Sequence, residues 1–216
     1  CMDKDITHTV LEANGIHTAK WVTILETQLD SELSSKCDEM EEKLTYPMFV
    51  KPANCGSSVG ISKANDRNEL ISGIKLAFAH DKKVIVEEGI TGVECECAVM
   101  GIGEIKAAND FYDYEAKYEN PQSRTVIPAG ISEEASDKLR ETAVKAYKIM
   151  GCEGLARVDF FLCENGDVIL NEINTLPGHT PISMYPQLME HEGLSPEEQE
   201  DRLIKLAFER ADFDYE

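Results

Sequence analysis

Two runs rich in β-branched and aromatic residues, 155–162 and 168–174, flank Asn165-Gly166. That pattern predicts a β-hairpin closed by a two-residue type I′ turn. If Glu164 faces Asp167, counting outward places Asp159 opposite Glu172 and Arg157 opposite Asn174. Side chains alternate faces along a strand, so these four polar groups share one face. Val158, Phe160 and Leu162, with Ile169 and Ile173, are expected on the other.

Elsewhere the periodicity predicts a helix over 3–14, capped by Asp3 and stopped by Gly15, then an extended piece over 16–25 and an acidic helix near 29–44. A short buried strand at 48–50 leads into a loop of small residues at 53–60. A strand follows near 60–64, then a helix at 67–80 opened by a capping box of Asp66 and Glu69. Strands are expected at 84–86 and 93–100. Residues 108–130 are polar, aromatic and punctuated by Pro and Gly, a long connection of the kind used as a lid. A helix capped by Ser132 runs to about Met150, closed by Gly151. After the hairpin come a short helix and a last one from Ser195-Pro196, its cap completed by Glu198. The interleaving predicts an α+β fold with two subdomains, 1–89 and 90–216.

Composition narrows the function. A formal charge of −20 over 216 residues argues against nucleic acid or an anionic membrane as the main partner. No apolar run reaches the length of a membrane span and no secretory signal is visible. Seven cysteines lack the density of a disulfide framework; Cys95 and Cys97 stand C-x-C on a strand, and Cys37, Cys55, Cys152 and Cys163 read as small hydrophobes. A reducing cytoplasm is expected.

The hairpin face carries the chemistry. Like charges directly across two strands repel, so Asp159 and Glu172 call for a cation between them. Two carboxylates and the Asn174 carboxamide suit a hard ion such as Mg²⁺, with Mn²⁺ as a substitute. Ion pairing of both carboxylates with Arg157 is the alternative. A second candidate is the loop after Lys51-Pro52: Gly56-Ser-Ser-Val-Gly60 offers N–H groups and hydroxyls for phosphate, although it matches neither a P-loop nor a dinucleotide fingerprint.

Four segments together carry a resemblance: Val50-Lys-Pro-Ala-Asn-Cys-Gly-Ser-Ser-Val-Gly60, Phe111-Tyr-Asp-Tyr-Glu-Ala-Lys-Tyr118, the strand of Arg157 and Asp159, and Asn171-Glu-Ile-Asn-Thr-Leu-Pro-Gly178. In this order they resemble the D-alanine–D-alanine ligases of the ATP-grasp fold. The resemblance implies two α+β subdomains with the nucleotide site between them, and ATP-dependent joining of two D-alanines through a D-alanyl phosphate, for peptidoglycan. It implies Lys4 and Lys51 on the ATP phosphates, with Ser57 and Ser58 in the loop beside them. Glu87 would lie on the adenine side, Glu88 and Ile90 in the segment around the base, and Glu94 on the ribose. Asp159, Glu172 and Asn174 match the Mg²⁺ ligands. Arg157 and Gly178 match groups that stabilise the tetrahedral intermediate, and Lys117 a lysine on the transferred phosphoryl group. Ser57 and Tyr118 match the pair that holds the lid shut, and Ser183 and Met184 the pocket of the second D-alanine.

The family's N-terminal domain has no counterpart in this sequence, so an inactive fragment is expected, with a homodimer in the full-length enzyme. Glu88 stands where the family often has Lys or Gln. Other readings implied are a D-serine acceptor, another ATP-grasp carboxylate–amine ligase, and a nucleotide-binding module without catalysis.

Overall fold

The computed structural model describes residues 1–100 and 126–211, and the backbone of 104–110. Two compact units emerge, one of Met2–Thr9 and Thr18–Thr91, the other of Cys1, Val10–His17 and Gly92–Glu216. The fold is α+β, as expected, with one antiparallel four-stranded sheet in each unit. No helix among the described residues is long and apolar enough to cross a membrane.

In the unit that contains Thr18–Thr91, the strands are β1 (Trp21–Leu25), β2 (Met48–Pro52), β3 (Ser62–Ala64) and β4 (Lys83–Glu88), in the order β1-β4-β2-β3. Period-two alternation sorts their side chains. Val22, Ile24, Met48, Val50, Val84 and Val86 form one buried face with residues of helices α2 (Leu33–Lys43) and α3 (Arg67–Ala77). The helix expected near 29–44 begins only at Leu33, after a 3₁₀ turn at Glu26–Gln28. The cap of α3 also differs in detail. Asp66 accepts from the amides of Asn68 and Glu69, but the Glu69 carboxylate reaches past Asp66 to the amide of Asn65. The odd-numbered face is mixed, with Ile85 buried among polar and aromatic groups, and the first turns of α1 (Lys4–Ala13) supply polar partners: Asp5 accepts from Trp21 Nε1 and Thr23 Oγ1 and pairs with Lys83.

In the other unit, β5 (Val93–Met100), β6 (Glu104–Asp110), β7 (Leu155–Leu162) and β8 (Val168–Asn174) run in the order β6-β5-β7-β8. One face buries Cys95, Cys97, Val99, Ala156, Val158, Phe160 and Leu170 against Leu139, Ala143 and Tyr147 of α4 (Glu133–Ile149). On the opposite face, Ala98 and Met100 are covered by α5 (Met184–His191), and α6 (Pro196–Arg210) adds Leu203 and Leu206. The capping box at Ser195 and Glu198 is present, and Ser132 caps α4. Of the cysteines, Cys37, Cys95 and Cys97 are buried, whereas Cys55, Cys152 and Cys163 are only partly so.

The hairpin register holds at its base but is reached by another route. Arg157 pairs with Asn174 and Asp159 with Glu172, yet Phe160 pairs with Leu170 and Leu162 with Val168. The turn spans three residues, not two. Cys163 donates to the Asp167 carbonyl, Gly166 donates to the Cys163 carbonyl, and Gly166 sits at φ +82°. This is the type I turn with a left-handed third residue. The offset is then cancelled by a bulge opposite Asp159 and Phe160, where Asn171 is the extra residue. The bulge reverses the sidedness of the outer half of β8. Leu170 and Val168 are therefore buried, and Ile169, expected inside, is partly exposed.

Candidate functional site

On β7, Arg157 and Asp159 lie two residues apart and face the same way. The guanidinium grips the carboxylate in a fork: Nε donates to Oδ1 at 2.8 Å and Nη2 to Oδ2 at 2.7 Å. Bidentate pairs of this kind are the strong, geometrically specific ones. The pairing registers bring two more carboxylates into the row. Glu96 on β5 and Glu172 on β8 both stand opposite Asp159. They approach the guanidinium at 3.5 Å and 3.7 Å. Burial by itself lowers the Arg157 pKa, but the charges of Asp159, Glu96 and Glu172 outweigh it, so the net shift is upward and the side chain stays cationic. Nη1 enters none of these contacts, which leaves two N–H donors directed elsewhere.

The alternative expected for the hairpin, ion pairing of both carboxylates with Arg157, is thus present, as a close fork for Asp159 and as a longer 3.7 Å contact for Glu172. Among the described residues no group of three or more His, Cys, Asp or Glu side chains is arranged to hold a metal. A set with a carboxamide oxygen is a different matter. A carboxylate offers about four lone-pair positions, and the two bonds from Arg157 leave capacity on both Asp159 oxygens. Asn174 Oδ1 accepts one bond, from the Leu176 amide at 3.1 Å, and keeps a second lone pair. The Glu172 side chain is 41% exposed. These hard oxygen donors fit Mg²⁺. Glu94 lies on the same strand and face as Glu96, one pair further on, opposite Phe161.

The segment after β8 brings Gly178 against Ser183: a Cβ at Gly178 would stand 2.9 Å from the Ser183 hydroxyl. Ser183 occupies the N-cap position of α5, but its hydroxyl does not cap the helix. It accepts instead from the Thr180 amide at 3.1 Å and lies 2.8 Å from the Thr180 hydroxyl. Met184 packs on the cluster of Tyr185 and Leu188. Lys117, Tyr118 and most of the stretch expected to form a lid lie outside the described residues.

In the unit of Thr18–Thr91, Lys4 Nζ donates to the Cys55 carbonyl at 2.6 Å, which ties the start of α1 to the loop after β2. Within that loop Ser57 and Ser58 both adopt left-handed backbones, at φ +52° and +57°. Such values are uncommon for residues other than Gly. Gly60 sits at φ +73°, and a Cβ there would lie 2.6 Å from the His80 ring and 2.8 Å from Pro52, so a larger residue would be strained. Lys51 Nζ contacts Glu87 Oε2 at 2.6 Å, joining the residues expected at the phosphates and the base. Glu88 meets Lys20 at 3.7 Å, and the Gly89 amide donates to the Pro47 carbonyl. Ile90 is partly exposed.

Sequence reading overlooked His8 and Trp21, which stand beside Glu87, and Glu96, which stands opposite Asp159. A signal existed for His8, one helical turn after Lys4 on the same face of α1. Glu96 is placed by pairing between distant strands, and nothing local announces it.

Residues 10–205 match the family described as D-ala D-ala ligase C-terminus. The D-alanine–D-alanine ligase of Acetivibrio thermocellus is 47% identical over 97% of this chain and 58% of its own length. The D-alanine–D-alanine ligase A of Escherichia coli is 46% identical over 97% of this chain and 59% of its own. Among solved structures, the VanG D-Ala:D-Ser ligase of Enterococcus faecalis superposes with a TM-score of 0.85 at 42% identity, covering 95% of this chain and 61% of that one. The D-alanine–D-alanine ligase of Coxiella burnetii gives 0.84 at 35% identity, covering 98% and 58%. The chain thus spans about three fifths of the length of these relatives.

Proposed function

The chain belongs to the D-alanine–D-alanine ligase family, and on that premise we propose that the protein containing it joins two D-alanines at the expense of ATP. A carboxylate does not react with an amine at neutral pH without activation. In the proposed reaction one D-alanine carboxylate attacks the γ-phosphorus of ATP, releasing ADP and leaving an acyl phosphate. The amine of the second D-alanine adds to that carbonyl, and the tetrahedral adduct expels phosphate to leave the dipeptide.

The observation that carries this reading is the anchored guanidinium of Arg157. Two of its nitrogens hold Asp159, so Nη1 is preorganised to donate to an oxyanion, the arrangement that lowers barriers in acyl transfer. Asp159, Glu172 and Asn174 would hold Mg²⁺, which when bound offsets charge on the transferring phosphoryl group. Lys4 and Lys51 are assigned to the phosphates, each sharing its ammonium with the protein oxygen it already contacts. Acyl phosphates hydrolyse readily, so the reaction needs water excluded. Ser57 and Tyr118 are assigned to that closure, and Lys117 to the transferred phosphoryl group.

The test is Asp159→Asn and Glu172→Gln in the full-length protein, with ADP release coupled to a colour reaction. Turnover is expected to vanish in both, and near-parental rates in either would refute the assignment. A second reading, D-serine as acceptor, is favoured by the similarity to a ligase described as D-Ala:D-Ser. Rates with D-alanine and D-serine as the second substrate decide between the two.

A further inference from the structure

All seven cysteines stand as free thiols, and two that lie far apart in the sequence meet. The sulfurs of Cys1 and Cys152 are 3.8 Å apart, in contact but unbonded. Both residues belong to the unit that contains Gly92–Glu216. The core of that unit fixes the encounter. Leu11 of α1 and Ile16 are buried in one cluster with Ala143, Ala146 and Tyr147 of α4, and Cys152 packs against the same cluster. Gly151, at φ +62°, turns the chain at the end of α4, and the Cys152 amide then donates to the Tyr147 carbonyl at 3.0 Å. Cys152 is thus seated. Cys1 is exposed and precedes α1, outside any helix or strand. A disulfide needs its sulfurs about 2 Å apart, and the remaining approach falls to Cys1, which no backbone ladder restrains.

We infer that Cys1 and Cys152 form a modification site, a thiol pair that closes to a disulfide by exchange with a low-molecular-weight disulfide and reopens by exchange with thiols. The order of events follows from burial. The attacking species is the thiolate. Burial pushes the Cys152 thiol above its ordinary pKa, whereas Cys1 is open to solvent. Cys1 therefore reacts first. It gives its proton to water, attacks one sulfur of the small disulfide and forms a mixed disulfide, releasing one small thiolate. Cys152 then loses its proton, attacks the Cys1 sulfur and expels the second small thiolate. The pair has given up two electrons and two protons, and the small disulfide has taken them up as two thiols. In a reducing compartment such a bond is transient, so it forms only when the thiol–disulfide balance shifts toward oxidation. The site shares no residue with the hairpin face or with the loop after β2.

The experiment incubates the full-length protein with oxidised glutathione, then digests it without reduction and reads the fragments by mass spectrometry. In the parent, the fragments that carry Cys1 and Cys152 are expected to be joined, lighter by two hydrogens than the separate pair. Reduced glutathione should part them again. Cys152→Ala should stop at the mixed disulfide and keep glutathione on Cys1, and Cys1→Ser should lose the joined fragment. The same treatment of the parent in urea should also lose it, because only the fold holds the second thiol at high local concentration beside the first. A folded parent that keeps glutathione on Cys1 as Cys152→Ala does overturns the inference. So does a bond from Cys1 to another cysteine in place of Cys152, or a joined fragment as abundant in urea as in the folded protein. Should Cys152→Ala fail to fold, the parent's own fragments with and without urea decide.

Discussion

Each sheet has a main oily face under helices and a second face on which charges collect, but the two charged faces are composed differently. On the β1-β4-β2-β3 sheet, lysines alternate with carboxylates: Lys83 with Asp3 and Asp5, Lys51 with Glu87. On the β6-β5-β7-β8 sheet, three carboxylates surround a single guanidinium. The first face is suited to lending a cation to an anion. The second is suited to presenting oxygens to a metal while keeping one guanidinium fixed. One antiparallel scaffold supports both because strand alternation separates the main core face from a second face, part of which is left for charged side chains while Ala98, Met100 and Ile85 stay buried there.

The largest test of this contrast removes the arginine. Arg157→Ala leaves Glu96, Asp159 and Glu172 facing one another, and breaking a buried pair in this way costs about 3–5 kcal/mol. A denaturant midpoint measures it, and an unchanged midpoint would mean the carboxylates need no cation. Next comes the hairpin core. Leu170→Ala should cost about 2–5 kcal/mol and Ile169→Ala much less, read as the difference between their melting temperatures; the reverse order would deny the bulge.

A milder effect belongs to the other sheet. Burial raises the Asp5 pKa, but hydrogen bonds from Trp21, Thr23 and Lys83 prevail and lower it below 3.8. A depressed carboxylate stabilises the fold above its unfolded pKa and loses that contribution as pH falls through the folded value. Asp5→Asn should therefore cost about 1.5–3 kcal/mol at pH 7, with the gap to the parent closing below about pH 4. Denaturation of both proteins at neutral and acid pH checks the sign.

How much was legible in the sequence follows from the same contrast. The pairs Asp159–Glu172 and Arg157–Asn174 could be counted because they belong to one hairpin. That count succeeded through two offsetting errors, a turn one residue longer than expected and a bulge at Asn171. Asn165-Gly166 fits both turn lengths, so the sequence is ambiguous there, and the burial of Leu170 in place of Ile169 was lost with it. The helix caps at Ser132 and Ser195 were readable because they are local. Glu96 beside Asp159 and His8 beside Glu87 were not, since each depends on segments that meet only in the folded chain.

The extra residue at Asn171 has a further consequence. It separates the tip of the hairpin from its base, so the ladder tolerates a change of length at one end without transmitting it to the other. A one-residue deletion among Glu164, Asn165 and Gly166 that flattened the strand at 171 would exchange Leu170 for Ile169 in the core, while Asp159 would still meet Glu172. The hairpin's loop is thereby open to remodelling, while the spacing of its acidic pair stays protected.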